Sequence, residues 1–317
     1  MPKLSRRDFL KLSGVTAASL ALVGTGCSAS QQADALPASS RQAATPANDQ
    51  PYLAVVRGAD PAAIVQAALA ALGGIERFVK PGNDVIVKPN ICVDYHTPEY
   101  AVTTNPEVVG ALVTLALGAG ARRVRVMDTP FGGTPESAYA VSGIEAAVRA
   151  AGGEMEVMSQ VKFAKFDIPN GKSIRSWAIY RDIMETDVLI DVPIAKHHSS
   201  ARLTLGAKNL IGAATNANQM HLSLAQRIAD LTSAIRPTLT VVDAYRILKD
   251  HGPTGGSLND VEETHTVIAS HDLVAADAYG ATLFGLQGED VPFIKKCAEM
   301  GLGTLDLSAV KVEEIHV

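Results

Sequence analysis

The fold of this chain is indicated by a short apolar run that ends in polar residues, Val85-Ile86-Val87-Lys88-Pro89-Asn90. Three consecutive β-branched residues predict a buried strand, and the proline after them is typical of a strand end. Similar runs recur along the chain, separated by stretches with apolar residues three or four positions apart. This alternation predicts an α/β fold with a mostly parallel sheet flanked by helices.

The predicted elements begin after residue 50 and continue almost to the end of the chain. The predicted strands are Tyr52–Arg57, Val85–Lys88, Val124–Asp128, Glu154–Met158, Val188–Val192, Leu239–Asp243 and Thr266–Ser270. The predicted helices are Pro61–Leu72, Pro106–Leu117, Pro135–Ala151, Leu222–Ile235 and Leu273–Leu286. Asn105 and Thr134 each precede a proline and predict capped helix starts. Residues 160–187, which hold a Pro-Asn-Gly turn, predict an inserted hairpin or loop excursion.

Polar residues follow several of the predicted strands. Ligands of open α/β sheets bind beyond the carboxyl ends of the strands. A single aspartate after a strand is usually a helix cap, but five polar strand ends at one edge favour a site there. The five ends are Lys88 with Asn90, Asp128, Asp191, Asp243, and His271 with Asp272.

Three lysines and two asparagines are the candidate anion-binding residues. Lys88, Lys196 and Lys208 predict a cationic pocket, which suits a carboxylate or a phosphate. Asn90 and Asn209 would orient the anion by hydrogen bonding. The alternative is that the lysines are solvated loop charges, although the neighbours of Lys208 have a buried character.

Histidines are the candidates for acid–base chemistry. His198 or His221 would move protons, because an imidazole titrates near neutral pH. Asp128 or Asp243 would orient a histidine or, alternatively, help hold a metal. The loop 250–256 carries Gly255 and predicts either an anion-binding nest of amides or a mobile surface turn.

Composition excludes several partners and cofactors. Without residues 1–27, 24 basic and 32 acidic residues remain, a formal charge of −8. This balance argues against nucleic acid and against a polybasic membrane grip. Beyond residue 27 only Cys92 and Cys297 remain, so an iron–sulfur cluster is not expected, and other cofactors stay unknown. Two buried thiols are expected, with a disulfide as the alternative.

The N-terminus predicts export. Residues 5–11 match a twin-arginine signal around Arg6 and Arg7, and an apolar stretch too short to span a bilayer follows. Cys27 lies in a lipobox-like sequence, which predicts a signal over 1–27. The residues that follow predict a disordered tether over 28–50 and an α/β domain over 51–317. The protein is then periplasmic or at the cell surface, anchored to the membrane only through Cys27; the alternative is soluble release after cleavage near Ala29 or Ala35.

The motifs resemble a known family. They occur in the order Lys88-Pro89-Asn90, Pro193 with Lys196 to His198, Thr204 to Asn209, His221, Pro237 to Asp243, Gly252 to Gly256 and Asp272 to Asp277. Over roughly residues 52–300 the set resembles the domain of unknown function 362 family. Some of its members carry a ferredoxin-like module, which this chain lacks, so the resemblance is to an uncharacterised, twin-arginine-exported subgroup. The family's Pro-x-x-Lys-x-His element matches at Lys196 and His198, which favours His198 over His197.

Two functions are compatible with these residues. The first is an extracytoplasmic enzyme acting on a small anionic substrate, with lysine and asparagine anion binding and histidine acid–base chemistry, metal-assisted or not. The second is a non-catalytic solute- or metal-binding lipoprotein that uses the same pocket. The usual nucleophile-elbow, Walker and dinucleotide-binding patterns are absent from the sequence.

Overall fold

A computed structural model describes residues 35–38 and 52–317. The predicted signal, Cys27 and most of the predicted tether lie outside these residues. The strands are β1 (Tyr52–Arg57), β2 (Asp84–Pro89), β3 (Arg123–Val126), β4 (Glu154–Met155), β5 (Phe163–Asp167), β6 (Ser176–Tyr180), β7 (Val188–Val192), β8 (Ile194–His198), β9 (Arg202–Thr204), β10 (Leu239–Leu248), β11 (Val261–Ser270) and β12 (Lys311–His316).

The helices mostly lie between these strands. They are α1 (Pro61–Ala71), α2 (Pro106–Gly118), α3 (Pro135–Val141), α4 (Ile144–Ala150), α5 (Arg181–Glu185), α6 (Gly206–Asn209), α7 (Ala217–Met220), α8 (Leu224–Ile235), α9 (Leu273–Thr282) and α10 (Pro292–Glu299). Both predicted caps are confirmed: Asn105 accepts from the N–H of Glu107 and Thr134 from that of Ser137. The single helix predicted over 135–151 is wrong, because Gly143 divides it at a left-handed φ of 71°.

The main sheet has the order β12-β1-β11-β10-β7-β2-β3-β4; β8 also pairs with β10, and β9 pairs with β8. The pairs β10–β7, β7–β2, β2–β3, β3–β4 and β1–β12 are parallel, whereas β11 is antiparallel to both of its neighbours. The predicted α/β class with a mostly parallel sheet is confirmed.

The antiparallel direction of β11 corrects the prediction that all five polar strand ends lie at one edge of the sheet. Ser270 at its end pairs with Thr240 near the start of β10, so His271 and Asp272 lie at the opposite edge from the ends of β2, β3 and β7. Asp272 caps α9 by accepting from the N–H of Ala275. The polar strand ends therefore do not all share one edge.

The sheet is covered on both faces. Along β1, Leu53 and Val55 belong to one apolar cluster, and the alternate residues Ala54 and Val56 belong to the other. Side chains of a strand point alternately to the two faces, so burial of both sets requires helices on each side. This explains why the strands appear in the sequence as continuous apolar runs.

The predicted hairpin over 160–187 is present as β5 and β6, which pair antiparallel and form a separate two-stranded sheet. The N–H of Leu36 donates to Lys165 O (2.8 Å), and Leu36 O accepts from Asp167 N (2.7 Å). Residues 35–38 therefore run along β5, which corrects the prediction of a free tether at these four positions. Within the described part of the chain, no helix is long and apolar enough to cross a membrane.

Candidate functional site

A cavity of about 760 Å³ opens beyond the carboxyl ends of β2 and β3. Its wall combines the segments after these strands with β8, α6 and the chain around α7. The structure brings together here seven of the predicted site residues: Asn90, Asp128, Lys196, His198, Lys208, Asn209 and His221. Lys88, Asp243 and Gly255 do not line this cavity.

Lys88 lies behind the cavity wall, paired with Asp128. Its Nζ is 2.7 Å from Asp128 Oδ1, and the side chains of the pair are 0% and 2% exposed. The other carboxylate oxygen of Asp128 accepts from Ile91 N at 2.7 Å. Burial raises the pKa of Asp128, while the Lys88 ammonium acts in the opposite direction. Lys88 thus neutralises a buried carboxylate, which corrects the prediction that it binds the substrate anion directly.

Gly212 closes over this ion pair. A Cβ atom at Gly212 would lie 2.2 Å from Asp128 Oδ1 and 2.9 Å from Lys88 Nζ. Any side chain here would displace one partner of the pair. The glycine therefore allows the chain after α6 to cover the pair and form part of the cavity wall.

Asn209 connects the cavity to the polar groups behind it. Its Nδ2 donates to Asp191 Oδ1 at 2.8 Å, and its Oδ1 accepts from Asn90 Nδ2 at 3.0 Å and from Lys88 Nζ at 3.3 Å. These bonds hold both asparagine amides in one orientation. Asn90 Oδ1 is buried without a hydrogen-bond partner among the residues described. Burial raises the pKa of Asp191 well above its ordinary value, and the charge of Lys88 acts in the opposite direction.

Lys196 is buried on β8 and held by two carbonyl groups. Its Nζ donates to Val102 O at 2.6 Å and to Pro253 O at 2.9 Å. Pro253 reaches it because Gly252 crosses β8 closely: a Cβ at Gly252 would lie 1.8 Å from His197 O. Burial lowers the pKa of Lys196. The Cys92 side chain is a further hydrogen-bond partner of this amine.

The loop 250–256 therefore contributes to the site through Pro253 and not through Gly255. Gly255 adopts a φ of +77°, and a Cβ there would lie 2.7 Å from Val102 Cγ1. It packs against the segment that supports Lys196, outside the cavity wall.

Lys208 reaches the cavity from α6. In the described parts of the chain, its Nζ has neither a hydrogen-bond acceptor nor a carboxylate partner. Burial, and after it the charge of Lys196, lowers the pKa of Lys208 to about 8. At pH 7 this side chain is mainly an ammonium, with roughly a tenth of it as the uncharged amine.

His198 is held by the backbone that follows it. Its Nδ1 accepts from Ser200 N at 3.2 Å and from Ala201 N at 3.3 Å. Burial and the nearby charge of Lys208 lower its pKa to about 3. Because Nδ1 is an acceptor, the neutral imidazole carries its proton on Nε2. His198 is thus suited to donate a hydrogen bond, and His221, exposed at the cavity, is the histidine open to solvent protons.

Asp243 is the predicted catalytic residue that the structure separates from the others. It lies within β10, which continues to Leu248, and not at a strand end. One oxygen accepts from Asn105 N at 2.7 Å and the other from Tyr245 N at 3.0 Å. Burial raises its pKa to about 6. Its carboxylate holds backbone, which corrects the prediction that it orients a histidine or a metal.

Thr204 and Cys92 also line the cavity, although neither was among the predicted site residues. Thr204 Oγ1 is buried in the wall and has no partner among the residues that the structure covers. Cys92 is a free, buried thiol whose Sγ donates to Pro253 O at 3.5 Å. Both lie in or beside the quoted motifs, but their position at the cavity depends on contacts between distant segments. Cys297 is also a free buried thiol, as predicted.

The charge of the cavity is positive. Of the described residues that line it, Asp128 is the sole carboxylate, and Lys88 neutralises it from behind. Lys196 and Lys208 have no carboxylate partner within the described ranges. The same ranges hold no group of three or more His, Cys, Asp or Glu side chains able to bind a metal ion. The arrangement can hold an anion and exchange protons with it.

Two sequence profiles match this chain. The profile described as Domain of unknown function (DUF362) matches residues 85–282, and that of the twin-arginine translocation signal matches residues 3–23. The second match indicates export across the membrane. Among curated proteins, the Thylakoid-associated protein sll1697 of Synechocystis sp. is 26% identical over 259 residues, which cover 76% of this chain and 75% of that protein.

Solved structures give weaker similarities. A protein from Thermotoga maritima superposes with a TM-score of 0.44 at 13% identity, covering 72% of this chain and 60% of its own. The lactate racemase apoprotein from Thermoanaerobacterium thermosaccharolyticum superposes with a TM-score of 0.47 at 12% identity, covering 72% and 56%. This chain thus spans little more than half the length of either protein.

Proposed function

The chain belongs to the family described as Domain of unknown function (DUF362), a description that names no reaction, and from the cavity we propose that the protein is an enzyme that binds a small anion and moves a proton on it. The observation that carries the proposal is the charge of the cavity. Its one carboxylate among the described lining residues is neutralised by Lys88, whereas Lys208 is unpaired. A carboxylate or phosphate would supply the missing partner.

Several polar groups support the binding of such an anion. The hydroxyl of Thr204 and Nε2–H of His198 are donors at the cavity, and Lys196 is part of its wall. Thr204 Oγ1 and Asn90 Oδ1 are buried without partners in the described part of the chain, which is costly unless a ligand or water satisfies them. A bound anion with hydroxyl or carbonyl oxygens would satisfy the hydroxyl.

Proton transfer in this site falls to Lys208 and His221. The pKa of Lys208 is about 8, so near neutral pH the amine can both accept and return a proton. His198 stays neutral and donates through Nε2, so it would stabilise negative charge that develops on a substrate oxygen. A protein that only stored the anion would have no need of this combination.

We expect Lys208→Met to weaken anion binding about 10- to 100-fold at pH 7, the effect of losing a hydrogen bond to a charged group. Isothermal titration of the full chain with sulfate and with acetate measures this, since neither probe changes charge between pH 6 and pH 10. In the wild type, affinity should fall as pH rises through about 8, where Lys208 loses its charge.

The matched control is Lys172→Met, in the exposed turn between β5 and β6. It should bind sulfate and acetate as the wild type does. Equal affinity of the Lys208→Met variant and the wild type, or an affinity that does not change with pH, would contradict the proposed anion site.

The lipid anchor is a separate proposal about location. Exchange of both Arg6 and Arg7 for lysine should leave the protein in the cytoplasm, because the export machinery recognises the arginine pair. Cys27→Ala should turn a membrane-associated product into a soluble one, because an acyl chain is the proposed attachment. Fractionation with an immunoblot measures both. If the wild type is already soluble after export, the anchor is ruled out while export stands.

A further inference from the structure

The three lysines of the site differ in what their amines contact. Lys88 is paired with Asp128, and Lys196 donates to two backbone carbonyls. Lys208 lines the cavity and, in residues 35–38 and 52–317, its Nζ has no acceptor. Of these amines, only that of Lys208 is free to approach a ligand atom without breaking a contact.

The surroundings of Lys208 shift its protonation equilibrium toward the uncharged amine. Desolvation penalises the ammonium, and the charge of Lys196 does so as well, which gives a pKa of about 8. The charges of Lys88 and Asp128 and the thiol of Cys92 act on it more weakly. A lysine that is desolvated beside a second cation is a recognised arrangement for an amine nucleophile.

We propose that Lys208 forms a Schiff base with the carbonyl carbon of a small 2-oxo carboxylate bound in this cavity. The inference rests on the proposed function and specifies its substrate class. The carboxylate of the ligand would face Lys196 and accept from the Thr204 hydroxyl, which has no partner among the described residues, while its carbonyl carbon meets Lys208. A plain carboxylate or a phosphate would leave the amine without a reaction partner.

The step is balanced without an oxidant or a reductant. The lone pair of the neutral amine forms the C–N bond as the carbonyl π pair moves to oxygen, which takes a proton. The resulting carbinolamine loses its hydroxyl group as water when the C–O bond breaks, and the nitrogen keeps one hydrogen as a protonated imine. His198 Nε2–H is placed to donate to the departing oxygen, and His221 exchanges protons with solvent.

The protonated imine explains why proton transfer would occur at the same site. It withdraws electrons from the neighbouring carbon and acidifies the hydrogens there. A base at the cavity, such as His221, then removes and returns one of them. Lys196 remains as the counterion of the carboxylate throughout.

The test uses the full chain with pyruvate and sodium cyanoborohydride at pH 8, followed by intact mass measurement and peptide mapping. We expect one reduced pyruvate adduct per chain, located on Lys208. The Lys208→Arg variant keeps the positive charge and cannot form the imine, so it should bind acetate but carry no adduct. The Lys172→Met control should be labelled like the wild type.

The wild type should also catalyse exchange of the pyruvate methyl hydrogens in deuterium oxide, measured by proton NMR, and Lys208→Arg should not.

Each of the other outcomes overturns a defined part of the proposal. Adducts spread over surface lysines and unchanged in Lys208→Arg overturn the nucleophile. Binding of acetate without a pyruvate adduct on Lys208 overturns the Schiff base and leaves the anion site standing. No binding of acetate or sulfate overturns the proposed function itself. Equal labelling of Lys208 by acetaldehyde and pyruvate overturns the 2-oxo carboxylate class.

Discussion

Asp128→Ala should lower the free energy of unfolding by about 3–5 kcal/mol, because it leaves the Lys88 ammonium buried without a counterion. Lys88 is fully buried, and its remaining acceptors are Pro89 O at 3.2 Å and Asn209 Oδ1 at 3.3 Å. Neither carries a charge. Urea denaturation at pH 7, followed by circular dichroism, measures the difference.

The double variant Lys88→Met with Asp128→Leu tests whether the loss of stability in Asp128→Ala comes from the unpaired lysine. It removes both charges, and replacing a buried ion pair by apolar residues is often close to neutral. We therefore expect it to be more stable than Asp128→Ala alone. Glu145→Ala breaks a surface pair with Arg149 and should cost only about 0.3–0.5 kcal/mol. A comparably small loss in Asp128→Ala would mean that the buried pair does not hold this wall of the cavity.

Arg125→Met should cost about 3 kcal/mol at pH 7, at the lower end for a broken buried pair because its partners are partly exposed. Arg125 is 5% exposed on β3 and contacts three carboxylates, those of Asp84, Glu156 and Asp182. Lys162 also pairs with Glu156 and Asp182. Removal of the arginine leaves three carboxylates with two partly exposed cations, Lys162 and Arg123.

The pH dependence of this loss has a defined sign. Burial alone would raise the pKa values of Glu156 and Asp182, but their bonds to Lys162 and Arg125 outweigh it and lower both. The stabilisation is therefore present above the ordinary carboxyl pKa of about 4 and is lost as pH falls through the lower folded values. The difference between the wild type and Arg125→Met should shrink below about pH 4. A difference that grows in acid would contradict this account. Lys162→Met, at a residue 40% exposed, should cost less.

The contacts of Arg125 illustrate why the sequence could predict the hairpin but not its contacts with the rest of the fold. The Pro-Asn-Gly turn and the flanking residues of β5 and β6 are local signals, and they indicated a hairpin correctly. The contact of Arg125 with Asp182, just after β6, joins residues that are 57 positions apart along the chain. No local pattern marks that arginine as different from Arg123, which is more exposed.

Strands β8 and β9 show the opposite case. Residues 194–204 are polar and lack periodicity, and no strand was predicted there. They form strands because β8 pairs with the far part of β10 and with β9. Pairing with an existing strand supplies backbone hydrogen bonds that propensity does not encode. This segment carries Lys196 and His198, so the least predictable strand holds two residues of the site.

The sequence by itself determined the alternation of strands and helices, the helix caps, the hairpin and the export signal, because each depends on neighbours a few residues away. Seven of the ten residues that it marked as site candidates line the cavity. Which lysine amine lines the cavity without an acceptor was decided only by the tertiary structure. Lys88 finds Asp128 at a separation of 40 residues and Lys196 finds Val102 at 94, whereas Lys208 finds no acceptor in the described chain. Desolvation and charge pairing set the pKa of an amine, and both arise from contacts between segments that are distant in sequence.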